Sequence, residues 1–417
     1  MESKILDINN ISTTLVKVDK FKSTKIQIHF LGPMNEKITS RSLLPYLMKS
    51  ITKKYNTRIA LQKELENMYN LKFNVGLSKV GKSHIITFDF SIIDNPYTLN
   101  NENLFEKTIL FLKEVLYNPL FKESIFIEEK RLLEEYFDSI YTDKMKYASI
   151  KLNETMFENE LYKFSSLGNE SDIKNLTLSD CENEYLKMMA TNKIYLNIIG
   201  NIDFDNVTAI IEDNLNFSTQ DKLVNVIDDQ EIDFSHKSVE ETQELLQSKL
   251  IIGYRNKTFI NTKKYYPMIV FNSIFGASSE SLLFSRIRED LGKVYFISSN
   301  YDPYKGVLFI YSGINKEDKD IVIKEIDKVL KNIINEKISD ELINTHKELI
   351  LTSLYSSLDS LGAISSRFFR ALLLDKKVDV ELIKKNILNV TKKDISEAAK
   401  TLIKDTTFFL RGEDNDY

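Results

Sequence analysis

The chain has 417 residues, which favours two domains or more, and 42% of them are hydrophobic, which excludes global disorder. Charged residues make up 28% with a net charge of −5, and no basic stripe marks a nucleic-acid partner. Met1–Phe21 lacks the apolar core of a signal peptide, no run of apolar residues is long enough to span a membrane, and the single Cys181 excludes an intrachain disulfide, so a cytoplasmic location is expected.

In chain order, the first predicted strand is Lys25–Gly32, followed by a loop and a helix with Pro45 near its start. The segment Glu64–Ile92 reads as a helix end, a strand, a turn at the lone Gly81 and a second alternating strand. Phe105, Ile109, Leu112, Val115 and Leu116 mark one face of a helix, Ile127–Asp138 forms another helix, and a strand at Ile194–Gly200 closes this half. Residues 218–244 turn polar and acidic and read as a linker with one short apolar patch.

The same order then returns. A strand at Lys249–Tyr254 precedes a helix that begins near Pro267, and Ser285–Ile314 repeats the two strands around a turn at Gly306. Val322, Ile326, Val329, Leu330 and Ile333 mark the matching helix face, and Phe408–Gly412 is the closing strand. Doubling of one unit predicts an α+β fold of two homologous domains, 1–217 and 245–417, each a mostly antiparallel sheet packed with helices.

Catalytic constellations are hard to assemble from these residues. The four histidines, His29, His84, His236 and His346, are never four apart, so no helix presents two imidazoles to one metal ion. His29 and His84 fall in predicted strands, His236 in the linker, and His346 on a helix where Glu348 faces another side. Cys181 follows Ser179-Asp180 at an expected exposed helix start, without a nucleophile motif around it. Glu128-Glu129 and Glu134-Glu135, interleaved with Lys130 and Arg131, read as a solvated helix face rather than acid–base pairs.

The doubled order, together with several local strings, resembles the insulinase or pitrilysin-like (M16) zinc peptidases, which carry the inverted motif His-x-x-Glu-His. The telling strings are LLPYLMKSITKKYNTRIALQKELENMYN and, later, SLGNESDIKNLTLSDCENEYLKMMATNKIYLNIIGNID. In active members the motif precedes a Lys-Tyr-Pro-Thr-like turn, which Lys54-Tyr55-Asn56-Thr57 matches. The motif positions here read Pro45, Met48 and Lys49, so the resemblance implies a degenerate zinc site, and no catalytic or metal residue is expected. The family's distal glutamate corresponds to either Glu135 or Tyr136.

Family members also hold substrate with an Arg and a Tyr in a string like Arg-Glu-x-Leu-Gly-x-x-Tyr. Arg288-Glu289-Asp290-Leu291-Gly292-Lys293-Val294-Tyr295 keeps both. The plain alternative is an arginine closing a helix C-terminus and a tyrosine packed in a strand. The resemblance is to the zinc-less subunit of paired bacterial members. It implies a homologous catalytic partner with an intact His-x-x-Glu-His, zinc in that partner and no cofactor here, and a peptide substrate, in housekeeping proteolysis or leader-peptide processing. The competing expectations are a scaffold subunit without a role in hydrolysis, and an independent hydrolase with an unrecognised site.

Overall fold

The computed structural model describes residues 1–99, 101–218, 225–230 and 233–413. The chain opens with β1 (Glu2–Ile8), β2 (Ile11–Lys17), β3 (Ser23–Pro33), α1 (Ile38–Ser50), α2 (Arg58–Asn67), β4 (Lys72–Val80) and β5 (Ser83–Ile93). Five helices follow: α3 (Leu104–Tyr117), α4 (Glu123–Thr142), α5 (Lys144–Met156), α6 (Glu170–Ile173) and α7 (Leu178–Thr191). Then come β6 (Lys193–Gly200), α8 (Phe204–Asn214), β7 (Lys237–Gln243), β8 (Ser248–Arg255) and α9 (Tyr265–Asn272). The remainder is β9 (Val294–Asp302), β10 (Val307–Ile314), α10 (Lys319–Ile334), α11 (Asp340–Ser356), α12 (Leu361–Leu373), α13 (Val380–Leu388), α14 (Lys392–Ala399) and β11 (Ile403–Gly412).

The fold is α+β, with two sheets packed by helices. The six-stranded sheet has the order β1-β2-β6-β3-β5-β4 and the five-stranded sheet the order β7-β11-β8-β10-β9. Each is antiparallel apart from one parallel pair, β2 with β6 and β7 with β11. Alternation explains which face is buried: Ile26, Ile28 and Phe30 of β3 point into a core with Phe88, Leu196 and Ile198, closed by Leu44 of α1, Leu112 of α3 and Ile211 of α8. In the other sheet, Leu250, Ile252, Leu308 and Ile310 meet Phe271, Ile326 and Ile333.

Several elements depart from the expectations. The β1–β2 hairpin precedes the first predicted strand, and its turn uses Asn9 and Asn10 at φ of 50° and 67°, a type I′ conformation that asparagine tolerates. Helix α1 begins at Ile38, so Pro45 stands inside it rather than near its start. Residues 219–224 and 231–232 of the expected linker lie outside the described residues. Within the rest, Val226 and Ile227 are buried, and Lys237–Gln243 is strand β7.

The compact units do not follow the linear division at 217 and 245. One comprises Met1–Phe137, Phe164–Val226 and Ser357–Val378; the other comprises Asp138–Lys163, Ile227–Ser356 and Asp379–Tyr417. Apolar burial is the cause. Ala148, Leu152 and Met156 of α5 join Ile251, Val307, Phe309, Phe408 and Leu410 in the second unit. Ile364 and Phe368 of α12 cover Val16, Val18 and Ile199 in the first.

Leu152→Ala is expected to weaken the second unit by about 3 kcal/mol, since the side chain is fully buried. Leu186→Ala, at a position 63% exposed, should change the first unit by less than about 0.5 kcal/mol. Urea unfolding followed by hydrogen exchange at β8 and β6 reads the two units apart.

Candidate functional site

The degenerate motif lies in the second half of α1. Pro45 has no N–H for the carbonyl of Arg41, yet the helix runs through it, and the ring is buried. Met48 is fully buried and belongs to the apolar core of the first unit. Lys49 is half-buried, with its ammonium 5.8 Å from the centre of the Phe73 ring. These side chains offer neither imidazole nor carboxylate, and a fixed ammonium repels a divalent ion. They do not fit zinc.

The turn after α1 and the facing helix α4 explain what replaced a ligand shell. Thr57 caps α2, its hydroxyl accepting from the Ala60 amide at 3.1 Å, and Tyr55 is buried. Arg58 bridges two carboxylates of α4, Glu128 at 2.6 Å and Glu129 at 2.8 Å. Ser50 of α1 also donates to Glu129, at 3.0 Å. Glu129 is therefore an anchored, largely buried carboxylate, not part of the solvated face expected for it. Glu135 does lie in solvent, paired with Arg131 one turn earlier. Burial, then Glu129 and Tyr136, raise the pKa of Tyr46 on α1.

Arg288 and Tyr295 bracket a tight turn in the second unit. Arg288 lies in the last turn of the π-helical stretch Phe284–Asp290, and its guanidinium lies 4.7 Å from the centre of the Phe284 ring. Local π-helical geometry of this kind recurs at functional sites. Gly292 then takes a φ of +60°, with open space where a Cβ would stand, so the Lys293 amide reaches back to the Ile287 carbonyl at 3.0 Å. Tyr295 sits on β9, an edge strand, and is 55% exposed, which disposes of the packed-tyrosine alternative. Its hydroxyl donates to Asn315 at 3.2 Å, a partner that nothing in the spacing foretells. Both side chains reach solvent and carry N–H or O–H donors.

The remaining titratable candidates are structural. His346 is fully buried, 2.9 Å from Ser273 Oγ, and His236 is exposed, 3.2 Å from Thr407 Oγ1. His29, on β3, stacks on Phe369 with ring centres 3.8 Å apart. Cys181 starts a well-capped helix as expected, but it is buried rather than exposed, and burial pushes its thiol up to about 12. Behind α1 lies a buried network that the sequence reading missed. Arg41 donates to His84 Nδ1 at 3.0 Å, to Asn192 Oδ1 at 2.5 Å and to the Phe30 carbonyl at 3.2 Å. Since Nδ1 accepts, the proton of neutral His84 sits on Nε2, which donates to the Ser166 carbonyl at 2.8 Å.

Burial and the neighbouring Arg41 charge hold His84 down at about 4, against an ordinary 6.5. The unfolded chain thus takes up a proton below about 6.5 that the folded chain refuses, so stability of the first unit falls as pH drops from there towards 4. Between pH 7 and pH 5 this group should remove about 2 kcal/mol, and His84→Gln should take that share out of the slope in urea titrations, leaving the similar share of His29, which burial holds down at about 3. Met48→Glu, the middle step of any motif repair, is expected to cost at least about 3 kcal/mol by burying a carboxylate in the core. The triple variant Pro45→His, Met48→Glu, Lys49→His should therefore lose melting temperature before it gains tight zinc, which thermal scans and metal analysis after dialysis can check.

Comparison with known proteins agrees with this geometry. A family model described as the M16 peptidase inactive domain matches residues 175–350. The chain is 27% identical over 410 residues to the "Probable inactive metalloprotease YmfF" of Bacillus subtilis (strain 168), covering 96% of each. A conserved protein from Enterococcus faecalis V583 has the same fold with a TM-score of 0.93, at 26% identity over 100% of both chains. An M16 inactive domain from Pseudomonas fluorescens matches at a TM-score of 0.83 and 14% identity over 99% of both, a likeness of fold alone. With its motif helix stripped of every zinc donor, the chain is similar to M16 peptidase inactive-domain proteins and to a probable inactive metalloprotease.

Proposed function

We propose that this protein is the non-catalytic subunit of a heterodimeric zinc metallopeptidase, supplying peptide-binding groups to a homologous partner that carries the intact His-x-x-Glu-His motif. The observation that carries the reading is a contrast within one chain. Met48 has become part of a hydrophobic core, while Arg288 and Tyr295 stay exposed on the second unit. A guanidinium and a phenol both donate to a peptide carbonyl or to the oxyanion that forms when it is attacked. The edge position of β9 adds a row of backbone groups beside them, suited to an extended peptide.

In this reading the zinc and its general base belong to the partner, and this chain needs no cofactor. The substrate is a peptide, in turnover or in leader-peptide processing, and the location is the cytoplasm. Among the described residues no helix is long and apolar enough to cross a membrane.

The test is peptide cleavage by the reconstituted pair, with size exclusion reporting that the complex still forms. Arg288→Ala is expected to lower the rate about a hundredfold, the usual loss for one oxyanion-stabilising donor of about 3 kcal/mol. Tyr295→Phe should lower it while leaving the melting temperature nearly unchanged, because the exposed ring is kept. Wild-type rates in both variants, with the complex intact, would assign the chain to a scaffold role instead.

A further inference from the structure

The second unit holds a cavity of about 260 Å³ that involves neither Arg288 nor Tyr295. Phe234 and Phe259 form its aromatic walls, Arg255, Asn256 and Lys305 line its interior, and Asp229 and Asp233 stand at its rim. Gly306 makes the closed wall feasible: at a φ of +69°, any Cβ there would come within 2.7 Å of the Phe259 ring.

Asn256 is a fixed, buried part of the lining. It is 7% exposed, and its Oδ1 accepts from the Thr258 amide at 2.8 Å, which fixes the orientation of the carboxamide. Its Nδ2 is buried without a partner among the described residues. The charges settle the sign of the ligand. Lys305, with a side chain 2% exposed, is held by Glu160 and by Asp228 at 2.7 Å. Arg255 is held by Glu160 at 2.6 Å and by Asp405. These two buried cations are already met by three carboxylates and have no surplus charge for an anion. Adding Lys257, Asp229 and Asp233 from the lining gives three cations against five carboxylates, a net charge of −2 around the cavity.

We propose that this cavity binds a basic side chain, lysine or arginine, of a peptide. The aliphatic stem packs between Phe234 and Phe259, and the cationic head meets Asp229 and Asp233. The site goes beyond the pairing role and is tested on the full chain alone.

Blocked tripeptides Gly-Arg-Gly, Gly-norleucine-Gly and Gly-Glu-Gly are titrated calorimetrically into the protein at low salt. The arginine peptide is expected to bind, the norleucine peptide to bind at least about tenfold more weakly, and the glutamate peptide not at all. Asp229→Asn with Asp233→Asn, both at exposed positions, should weaken the arginine peptide about five- to tenfold and leave the melting temperature unchanged. Absence of binding to the arginine peptide, equal binding of the norleucine peptide, or an unaltered affinity in the double variant would each overturn the proposal.

Discussion

Apolar burial of α5 against the second sheet is the contact on which the division of the chain depends. Its face of Ala148, Leu152 and Met156 reaches Ile251, Phe408 and Leu410, so a helix encoded in the first half becomes core of the unit built by the second half. Helix α12 makes the reciprocal assignment. Alongside Ile364 and Phe368 it meets polar positions of the first sheet: Ser365 donates to Gln27 at 2.6 Å, and Phe369 stacks on His29. Burial pushes His29 down to about 3, so it is neutral across the physiological range. Helix α5 likewise adds hydrogen bonds to its apolar face, with Tyr147 donating to Glu241 and Lys144 to Gln243, both at 2.8 Å.

The loss of a zinc site in this chain is a change of environment as much as of residue type. A carboxylate at position 48 would need water or a cation, whereas the methionine there completes a core with Leu44 and the first sheet. Around it, Arg58 neutralises Glu128 and Glu129, and Ser50 fixes Glu129 further. Carboxylates near the motif helix are therefore committed to ion pairs and hydrogen bonds. That arrangement agrees with the inactive relatives to which the chain is similar.

The second unit holds a cluster of ion pairs in which Arg255 and Lys305 share Glu160. Removing such ions from water is costly, and only mutual pairing with well-placed hydrogen bonds offsets it. Phe157 supplies a further face, with the Arg255 guanidinium 5.2 Å and the Lys305 ammonium 5.8 Å from its ring centre. Glu160 and Phe157 come from the segment that follows α5, so the ionic cluster and the apolar contact of α5 hold the same stretch of chain in place.

The sequence by itself determined the α+β class, the doubled order of elements, most strands and the chemical nullity of Pro45, Met48 and Lys49, because period, turn residues and donor inventory are local properties. It also marked Arg288 and Tyr295, though only through a resemblance. Tertiary structure alone decided the membership of α5 and α12, since an amphipathic stripe says that a helix buries a face but not which sheet receives it. It decided that Cys181 is buried and that Glu129 is anchored rather than solvated, because both depend on what packs across from α1 and α4. The polar stretch ahead of β8 hid strand β7 for a similar reason. Its alternating Lys237–Gln243 looks like solvated linker until β11 offers a parallel edge, and the ladder of backbone hydrogen bonds, rather than hydrophobicity, makes it a strand.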